Sequence, residues 1–579
     1  MNRLFFAAAL SAAVLMAQPQ PGMPTGGQDD PPSRVARLNW IAGDVAFQPA
    51  TVDAWSNATL NYPLTTGDHL FVNSGGRAEL HIDGSAVRLN SNSNFGFLNL
   101  NDSIVQMSLN EGSLELRLRQ LNQNDSFEID TPNGAVTLVR AGEYRVDTDP
   151  ARNVTLVTVR NGQAEMFQDG NSVLVTPHQT VSFGDGAGPE VNAESPRDEF
   201  DGFVLARNNA EDNLPRHDYV PDSMIGYQDL YAYGHWVNDP LYGWIWIPPV
   251  NAGWSPYSTG RWAFVEPWGW TWVDEAPWGF APFHYGRWAM MSGGWGWIPG
   301  APSYRPVYAP ALVGFVGGGG FGVSVGWFPL GPREPWIPAW GASRAYVNNV
   351  NIMHVTNINV VNVTNINYVN RQSVTVVSQA DFAAARPVAS VAIRLSPAQI
   401  RSAQVIGTAP QVVPARTSVA IGAMRAAPAV SARAVVAHAA PPPAPVSFVA
   451  RQQMLAQNNG LPLRSNQVAQ LRSQQPAAVV SHAPVRSIGA AAAPAAPATV
   501  NRPAAAPAPM DRMSSRPPGA QPLPAGAQIR PMQPAPQPAN QPAAVQRTPA
   551  QPAAPVGRPA PAKPTAKAKP RPEEKDERR

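Results

Sequence analysis

The residues with the clearest capacity for chemistry are tryptophans in the middle of the chain. Of the 17 tryptophans, 12 lie between residues 236 and 297. An indole face can stack on a sugar ring, a nucleobase or a quaternary amine. The candidates for such a ligand-stacking surface are Trp236, Trp244, Trp246, Trp262, Trp270, Trp272, Trp288, Trp295 and Trp297. A packed core and a membrane-interface belt would use the same residues, so all three interpretations stay open.

Other chemical signatures are weak. Cysteine is absent, and no two of the nine histidines have the i, i+4 spacing of a helical metal site. A formal G-x-G-x-x-G match at residues 317–322 lacks the acidic partner of a dinucleotide site. Asp274 and Glu275 could serve a glycan hydrolase, but they fit a turn equally well. We therefore expect no enzyme activity, no catalytic residues, no cofactor and no metal.

The tryptophans belong to a repeat. A Gly-x-Trp triplet begins each unit, at Gly234, Gly260 and Gly286, and a W-x-W pair follows in each. Alternate residues of a strand share one face, so each unit presents an aromatic pair on one side. A period of 26 residues is too short for a four-stranded propeller blade and fits a hairpin or three short strands. We expect such units to stack and bury their aromatic faces together.

The segment before the repeat has the period-two pattern of β-strands. In RAELHIDGSAVRL, apolar residues alternate with Glu79 and His81, and in GSLELRLRQL leucines alternate with Glu115, Arg117 and Arg119. The pattern predicts strands with one buried face and one charged outer face. Two Asn-Gly dipeptides are hairpin signals. The predicted fold class is mainly β, with an all-β sandwich or solenoid in this region.

Residues 62–93, YPLTTGDHLFVNSGGRAELHIDGSAVRLNSNS, resemble the FecR-type domain. The family's motifs are L-x-x-G-D-x-L, a glycine–arginine strand and D-G-S-x-V-R-L. The similarity extends over residues 34–185 and implies an exported β domain. The family's namesake relays a ferric-citrate signal from the periplasm to a sigma factor. Its relay uses a cytoplasmic segment and a transmembrane helix ahead of this domain, where the present chain has a three-residue basic start and an apolar run.

Residues 194–372 resemble a second family, an uncharacterised exported bacterial domain that often follows a FecR-type domain and precedes a proline-rich tail. The resemblance implies architecture and no chemistry. The region opens with a helical link, for which Ser195 is the expected N-cap and Pro196 the first helical residue. Within the region, residues 311–330 predict a packed Gly-rich β segment in preference to a membrane span. The Asn-Val/Ile alternation that follows predicts one long strand or two.

The two ends of the chain have other compositions. Residues 1–17 have the pattern of a secretory signal peptide, and residues 18–33 that of a linker. The Ala/Pro-rich residues 380–579 predict a disordered tail with two transient helices. Residues 371–579 carry a net charge of +18 against −15 for residues 1–370, so the tail is expected to contact acidic surfaces.

Together these features predict an exported, non-enzymatic cell-envelope protein in the periplasm or at the cell surface. The expected partners are envelope polysaccharide or another envelope protein, held through the tryptophan repeats. We expect no specific nucleic acid partner and no membrane span beyond the signal peptide. The alternatives are an extracytoplasmic signalling regulator of FecR type, linked to a sigma factor or iron, and a glycan hydrolase.

Overall fold

The computed structural model describes residues 30–184, 188–215, 218–300, 305–317, 321–351, 366–429, 433–474 and 484–488. The expected signal peptide, most of the linker and the last part of the tail lie outside these residues. The described residues belong to one compact unit, Met1–Pro497. None of the helices described is long and apolar enough to cross a membrane.

The N-terminal part of the described chain is built of β-strands. Their bounds are β1 (Ala36–Ala42), β2 (Val45–Gln48), β3 (Trp55–Asn57), β4 (Pro63–Leu64), β5 (His69–Val72), β6 (Arg77–Ile82), β7 (Ser85–Leu89), β8 (Ser93–Leu100), β9 (Ile104–Leu118), β10 (Ser126–Thr131), β11 (Gly134–Leu138), β12 (Gly142–Asp149), β13 (Val154–Asn161), β14 (Ala164–Gln168), β15 (Asn171–Val175), β16 (Gln179–Gly184) and β17 (Glu190–Ala193).

These strands form two sheets that share the long strand β9. The first sheet has the order β4-β1-β6-β7-β9-β12-β13-β16-β17 and is antiparallel throughout. The second sheet runs β3-β2-β5-β8-β9-β10-β11-β14-β15, with a parallel β9–β10 pair. Strand β9 changes sheets near Gly112, whose φ of 91° few other residues adopt. The apolar faces of the strands contribute to one large buried core, so the predicted mainly β class is confirmed.

A helical link follows the sheets. It consists of α1 (Glu199–Asp212) and α2 (Tyr227–Tyr233). The predicted N-cap at Ser195 is wrong, because the side chain of Asp198 accepts from the backbone N–H of Asp201 in a capping box. The backbone N–H of Ser195 instead donates to Thr180 Oγ1 of β16, at 2.9 Å.

The tryptophan repeats fold as three hairpins, as the 26-residue period predicts. Their strands are β18 (His235–Asp239), β19 (Gly243–Ile247), β20 (Gly260–Val265), β21 (Gly269–Asp274), β22 (Arg287–Met291) and β23 (Gly294–Ile298), with the short helix α3 (Ala281–His284) before the third. The first Trp of each unit pairs directly with the second Trp of its W-x-W motif: Trp236 with Trp246, Trp262 with Trp272, and Trp288 with Trp297.

The repeated glycines leave room for the indole rings of these tryptophans, because a side chain at each glycine would clash with a ring. A Cβ on Gly234 would lie 2.3 Å from the ring of Trp246, and one on Gly260 would lie 2.6 Å from that of Trp272. Gly286 stands in the same relation to Trp297. Each W-x-W ring therefore lies across the bare Cα that begins its own unit, which explains the shared period of glycine and tryptophan.

The hairpins do not stack in chain order. The first and third join in one sheet, β18-β19-β23-β22, through the pair Trp246 and Trp297. The second hairpin forms a separate two-stranded sheet, β20-β21. The expected stack of successive units is wrong in this respect, because the aromatic faces pack around one core and not along an axis.

The Gly-rich segment 311–330 forms an antiparallel hairpin of β24 (Val313–Gly317) and β25 (Ser324–Pro329), which confirms its β assignment. The start of the Asn-rich segment was predicted as strand but belongs to α4 (Arg344–Asn351). Asn351 fixes this turn, since its side chain hydrogen-bonds the main chain of Trp336 and the guanidinium of Arg287. Residues 352–365 of the predicted strand lie outside the described part.

The tail is ordered well beyond the predicted boundary at residue 380. Its described elements are β26 (Thr375–Ser378), α5 (Gln379–Ala383), α6 (Val388–Val391), α7 (Pro397–Ser402), β27 (Gln404–Gly407), α8 (Arg416–Val419), β28 (Met424–Arg425), β29 (Val435–Ala437), α9 (Phe448–Gln457), α10 (Ser465–Gln474) and β30 (Val485–Ser487). The two helices predicted as transient correspond to α7 and α9. Residues 489–579 of the predicted tail lie outside the described part.

Surfaces offered by the rest of the fold explain this order. Phe382 packs against Trp270 with ring centroids 4.6 Å apart, so the tail has an aromatic anchor that composition alone did not reveal. Strand β28 pairs with β3, and Val436 of β29 pairs with Thr131 at the end of β10. An Ala/Pro-rich chain that could not form a core alone is thus held by preformed edges and apolar surface.

Replacing Gly260 by alanine tests the packing of indole on bare Cα. The added methyl would lie 2.5 Å from the carbonyl oxygen of Val273 as well as against Trp272. We expect Gly260→Ala to lower the free energy of unfolding by about 1–3 kcal/mol, measured by urea denaturation. Gly202→Ala is the control, because a Cβ there meets open space on α1 and alanine favours a helix. Equal stability of Gly260→Ala and the wild type would contradict the explanation.

Candidate functional site

The outer face of the first sheet carries a row of alternating charges. Glu79 lies opposite Arg88, Arg88 opposite Glu115, and Glu115 opposite Arg145 on the neighbouring strands β6, β7, β9 and β12. Directly opposite residues of a sheet have Cβ atoms about 5 Å apart, so each charge has opposite charges beside it. We call the row Glu79, Arg88, Glu115 and Arg145 the charged face.

The alternation of this face agrees with the prediction, but the face is buried and not exposed to solvent as predicted. Glu79 and Arg88 are 0% exposed and Glu115 is 2% exposed. The acidic side of α1 lies over these residues: Asn208 accepts from Arg88 at 2.8 Å, and Glu211 accepts from Arg88 at 3.0 Å. A face that the period-two pattern assigned to solvent is therefore the buried interface with the link helix.

One end of the interface is a dense ion-pair network around Glu79, His81 and Glu211. The carboxylate of Glu79 accepts from Arg88 at 2.7 Å and from Arg207 of α1 at 2.6 and 2.9 Å. His81 Nε2 lies 3.2 Å from Glu79 and 3.4 Å from Glu211. A buried carboxyl group keeps its negative charge at low cost only when it is paired in this way.

Glu79, His81 and Glu211 also have the spacing of metal ligands, since one ligand atom of each lies within 4.8 Å of the others. The donor set does not fit a cation. Both oxygens of Glu79 and both of Glu211 already accept from guanidinium groups, with Arg119 donating to Glu211 at 3.0 Å. A divalent ion would replace these bonds and repel the arginines. The cluster is therefore an ion-pair network.

The network shifts the titration of its members. Burial would raise the pKa of Glu211, but its contacts with His81 and Arg88 lower it to about 2. Burial would lower the pKa of His81, but hydrogen bonds to Glu211 and Glu79 raise it above the ordinary 6.5. The carboxylate contribution is lost as pH falls below about 4.5 toward 2, and the histidine contribution is lost as pH rises through the raised pKa. The network thus stabilises α1 most between about pH 4.5 and 6.5.

The other end of the interface is held by Asp201 in the first turn of α1. Its two carboxylate oxygens accept from Arg145, at 2.6 Å, and from Arg160 of β13. Arg145 also pairs with the N-cap Asp198 at 2.8 Å. Negative side chains at the start of a helix also interact favourably with the helix dipole and so stabilise the helix. The first turn of α1 is therefore fixed by charge, as its last turn is through Glu211.

The structure separates the nine candidate stacking tryptophans into two groups. Seven are buried, with at most 6% exposure: Trp246, Trp262, Trp270, Trp272, Trp288, Trp295 and Trp297. The indole N–H of Trp246 donates to Leu230 O at 2.7 Å, and that of Trp297 donates to Tyr285 O at 2.9 Å. Faces enclosed in this way are not presented to a ligand, which favours the packed-core interpretation for these seven.

Trp236 and Trp244 remain accessible from solvent. Trp244 is 40% exposed and Trp236 is partly exposed on the same hairpin. Tyr219 lies against both, with ring centroids 4.3 Å from Trp244 and 4.8 Å from Trp236. Ligand stacking at these two indoles stays a prediction.

The pair considered for glycan hydrolysis does not form a two-carboxylate site. Asp274 is buried, and it accepts from the indole of Trp272 at 3.0 Å and from the backbone of Ala276 at 2.9 Å. Burial raises the pKa of Asp274 to about 8. Glu275 is exposed and lies 3.6 Å from Arg261. The geometry is that of a strand end followed by a turn.

Sequence reasoning missed the charged face as an interface. The signal was the excess of charge on both partners: Arg117 and Arg119 on β9 and its C-terminal end, and Glu211 and Asp212 at the end of α1. Opposite charges on the outer face of one element and on the next element indicate docking, but sequence alone does not show that α1 turns back onto the sheet.

Glu115 provides a test of this burial. Burial, with the nearby charge of Asp201, raises the pKa of Glu115 from 4.5 to about 7 despite Arg160 and Arg88. A raised carboxyl pKa means that the folded state loses stability as pH rises from 4.5 through 7. We expect Glu115→Gln to match the wild type at pH 4.5 and to exceed its free energy of unfolding by up to about 3 kcal/mol at pH 8, measured by urea denaturation. Parallel pH profiles for the two proteins would show that Glu115 is not buried beneath α1.

Comparisons with known proteins match two separate parts of the chain. The family described as FecR protein matches residues 68–165, and the family of unknown function DUF6600 matches residues 227–334. No curated protein matches the chain. Crystal structures of a candidate anti-sigma factor from Parabacteroides distasonis, at 2.50 and 1.65 Å resolution, are 18% and 19% identical, with a TM-score of 0.20.

Each of those structures aligns with 22% of this chain and 60% of its own, so the chain spans about three fifths of that protein's length. At this TM-score the likeness carries no functional information. The FecR match extends from the L-x-x-G-D turn into β14 and includes the charged face of the first sheet, while the second match includes the three tryptophan hairpins. The chain therefore carries a FecR domain followed by a DUF6600 domain.

Proposed function

We propose that this protein is a non-catalytic signalling regulator of FecR type, in which the FecR domain controls the part of the chain that follows it through α1. The observation that carries the proposal is the burial of the FecR domain's charged face beneath α1. The family match supports it, because FecR proteins are regulatory and are not known as enzymes. Export of the protein and its position in the envelope are part of the proposal.

The contacts of α1 suit a relay. The helix begins six residues after β17, the last strand beside the FecR domain, and the DUF6600 match begins fifteen residues after its end. Its first turn and its last turn are each held by arginines of the first sheet. A change in the FecR sheet that moved Arg88 or Arg145 would therefore move the helix, and with it the start of the next domain.

The test is transcription in the host bacterium. Deletion of the gene should change the transcripts that depend on an extracytoplasmic sigma factor, measured by RNA sequencing. Wild-type protein should restore them. Arg88→Met should fail to do so at equal protein level, because it removes the fully buried guanidinium that Glu79 and Glu211 share. Arg152→Met is the matched control, since Arg152 is 71% exposed and pairs only locally with Asp149.

Two results would contradict the proposal in different ways. Unchanged sigma-factor-dependent transcripts after deletion would remove the signalling role. Full restoration by Arg88→Met would keep the signalling role but exclude α1 as the relay.

A second candidate function is binding of envelope polysaccharide by the accessible indoles. The observation in its favour is that Trp236 and Trp244 of the first hairpin lie against Tyr219 of the link before α2. Aromatic faces at an exposed site are suited to sugar rings.

For this candidate, Trp244→Ala should weaken binding of solubilised envelope polysaccharide about two- to tenfold by calorimetry of the full chain. Leu241→Ala is the control, because Leu241 is 66% exposed in the same hairpin turn and has no aromatic ring. An equal effect of both substitutions, or binding too weak to measure in the wild type, would exclude the indoles as the binding surface.

A further inference from the structure

A cleft of about 460 Å³ lies where three parts of the chain meet. Its walls come from residues 49–68 and 99–101 of the N-terminal β-sheets, residues 264–268 of the second tryptophan hairpin, and tail residues 419–472. The volume is within the range of small-molecule sites. The cleft shares no residue with the charged face.

The walls of the cleft are mainly apolar. Phe264 and Trp268 line the cleft with almost no exposed area, and Val468 contributes accessible aliphatic surface from the tail. Prolines line much of the remainder: Pro32, Pro49, Pro267, Pro442 and Pro445. Rigid apolar walls of this kind favour a ligand with an apolar body.

Two of the arginines at the cleft are already neutralised. Arg34 pairs with Asp83 at 2.9 Å and with Asp125 at 3.4 Å. The guanidinium of Arg451 donates to Glu266 and to the carbonyl oxygen of Val446. Neither has a charge left for a ligand.

Arg472 of α10 differs. It donates to the carbonyl oxygens of Ala444, at 3.0 Å, and Pro443. Among the described residues, no carboxylate lies within ion-pair distance of Arg472, and its Nε is buried without a hydrogen-bond partner. A guanidinium in this state is an incomplete anion site, since charge-assisted hydrogen bonds to a carboxylate are what its geometry favours.

Two other titrating groups line the cleft together with Arg472. Burial and the nearby charge of Arg472 lower the pKa of Arg451 to about 10. Asp68 also lines the cleft, but burial raises its pKa to about 7 against the hydrogen bonds from Thr65 and Ala50. Near neutral pH, Asp68 is therefore only partly charged.

We propose that the cleft binds a small amphipathic anion, with its apolar body against the accessible Pro267, Pro445 and Val468 and its carboxylate on Arg472. Because both domains and the tail form the walls, an occupant would hold the three together. The inference deepens the proposed function by giving the class of molecule that would act as the signal. The signalling role of the ligand rests on the proposed function, but binding in the cleft does not.

The probe is dodecanoate at concentrations where it is monomeric, titrated calorimetrically into the full chain. We expect saturable binding, and binding at least tenfold weaker for dodecyltrimethylammonium, which has the same tail and the opposite charge. Arg472→Gln should weaken dodecanoate binding about tenfold or more. Arg464→Gln is the control, because Arg464 is exposed just before α10 and does not line the cleft. Val468→Trp should abolish binding of both probes by filling the cleft.

Urea denaturation midpoints establish that each variant is folded. If Val468→Trp does not fold, the affinity of Arg472→Gln for dodecanoate alone tests the inference. Equal affinity of the wild type for dodecanoate and dodecyltrimethylammonium, or wild-type affinity of Arg472→Gln for dodecanoate, would overturn the inference. The result is independent of the proposed function. If dodecanoate binds but deletion of the gene leaves transcription unchanged, the cleft is a ligand site and the signalling role is excluded. If deletion changes transcription but dodecanoate does not bind, the signalling role stands and the cleft is excluded as the ligand site.

Discussion

Burial of alternating charges between the first sheet and α1 is the constraint on which the arrangement of this protein depends. Charges removed from water are costly, and they are tolerated here because Glu79, Arg88 and Glu211 satisfy one another. An apolar interface could slide by a turn at little cost. This one cannot, because each shift would leave a buried charge without its partner, so the charges fix the register of α1 and the point at which the second domain begins.

The second domain solves a different problem by different means. With no cysteine in the chain, its short hairpins cannot be stabilised by disulfides, and tryptophan provides the buried area. Each large ring needs a place to lie, and a glycine at the start of the unit gives it one, as Gly260 does for Trp272. The repeat is thus a packing rule. It leaves Trp236 and Trp244 as the two candidates with an accessible face.

Period-two and 26-residue patterns predicted the strands and the hairpins because these depend on local alternation and turns. The period-two pattern assigned Glu115 to solvent, and Ala/Pro composition assigned the tail from residue 380 to disorder. The structure buries Glu115 and forms helices and strands in the described tail residues up to 488. Both errors have one cause: the deciding partner is remote in sequence. Asp201, whose charge acts on Glu115, is 86 positions away in sequence, and Trp270, which packs against Phe382, is 112 positions away from it. Local sequence patterns identify whether a surface is apolar or charged, and the rest of the fold decides whether that surface is buried.

Hydrogen exchange of the α1 amides in Arg88→Met, compared with Arg152→Met, tests most directly whether buried charge holds the helix. The account predicts that Arg88→Met raises exchange in α1 by about two orders of magnitude, because a buried pair is broken, while amides of β13 keep their protection. Arg152→Met should exchange as the wild type does. Unchanged exchange of α1 in Arg88→Met would contradict the account and show that the apolar contacts of Phe200 and Val204 are enough to hold the helix.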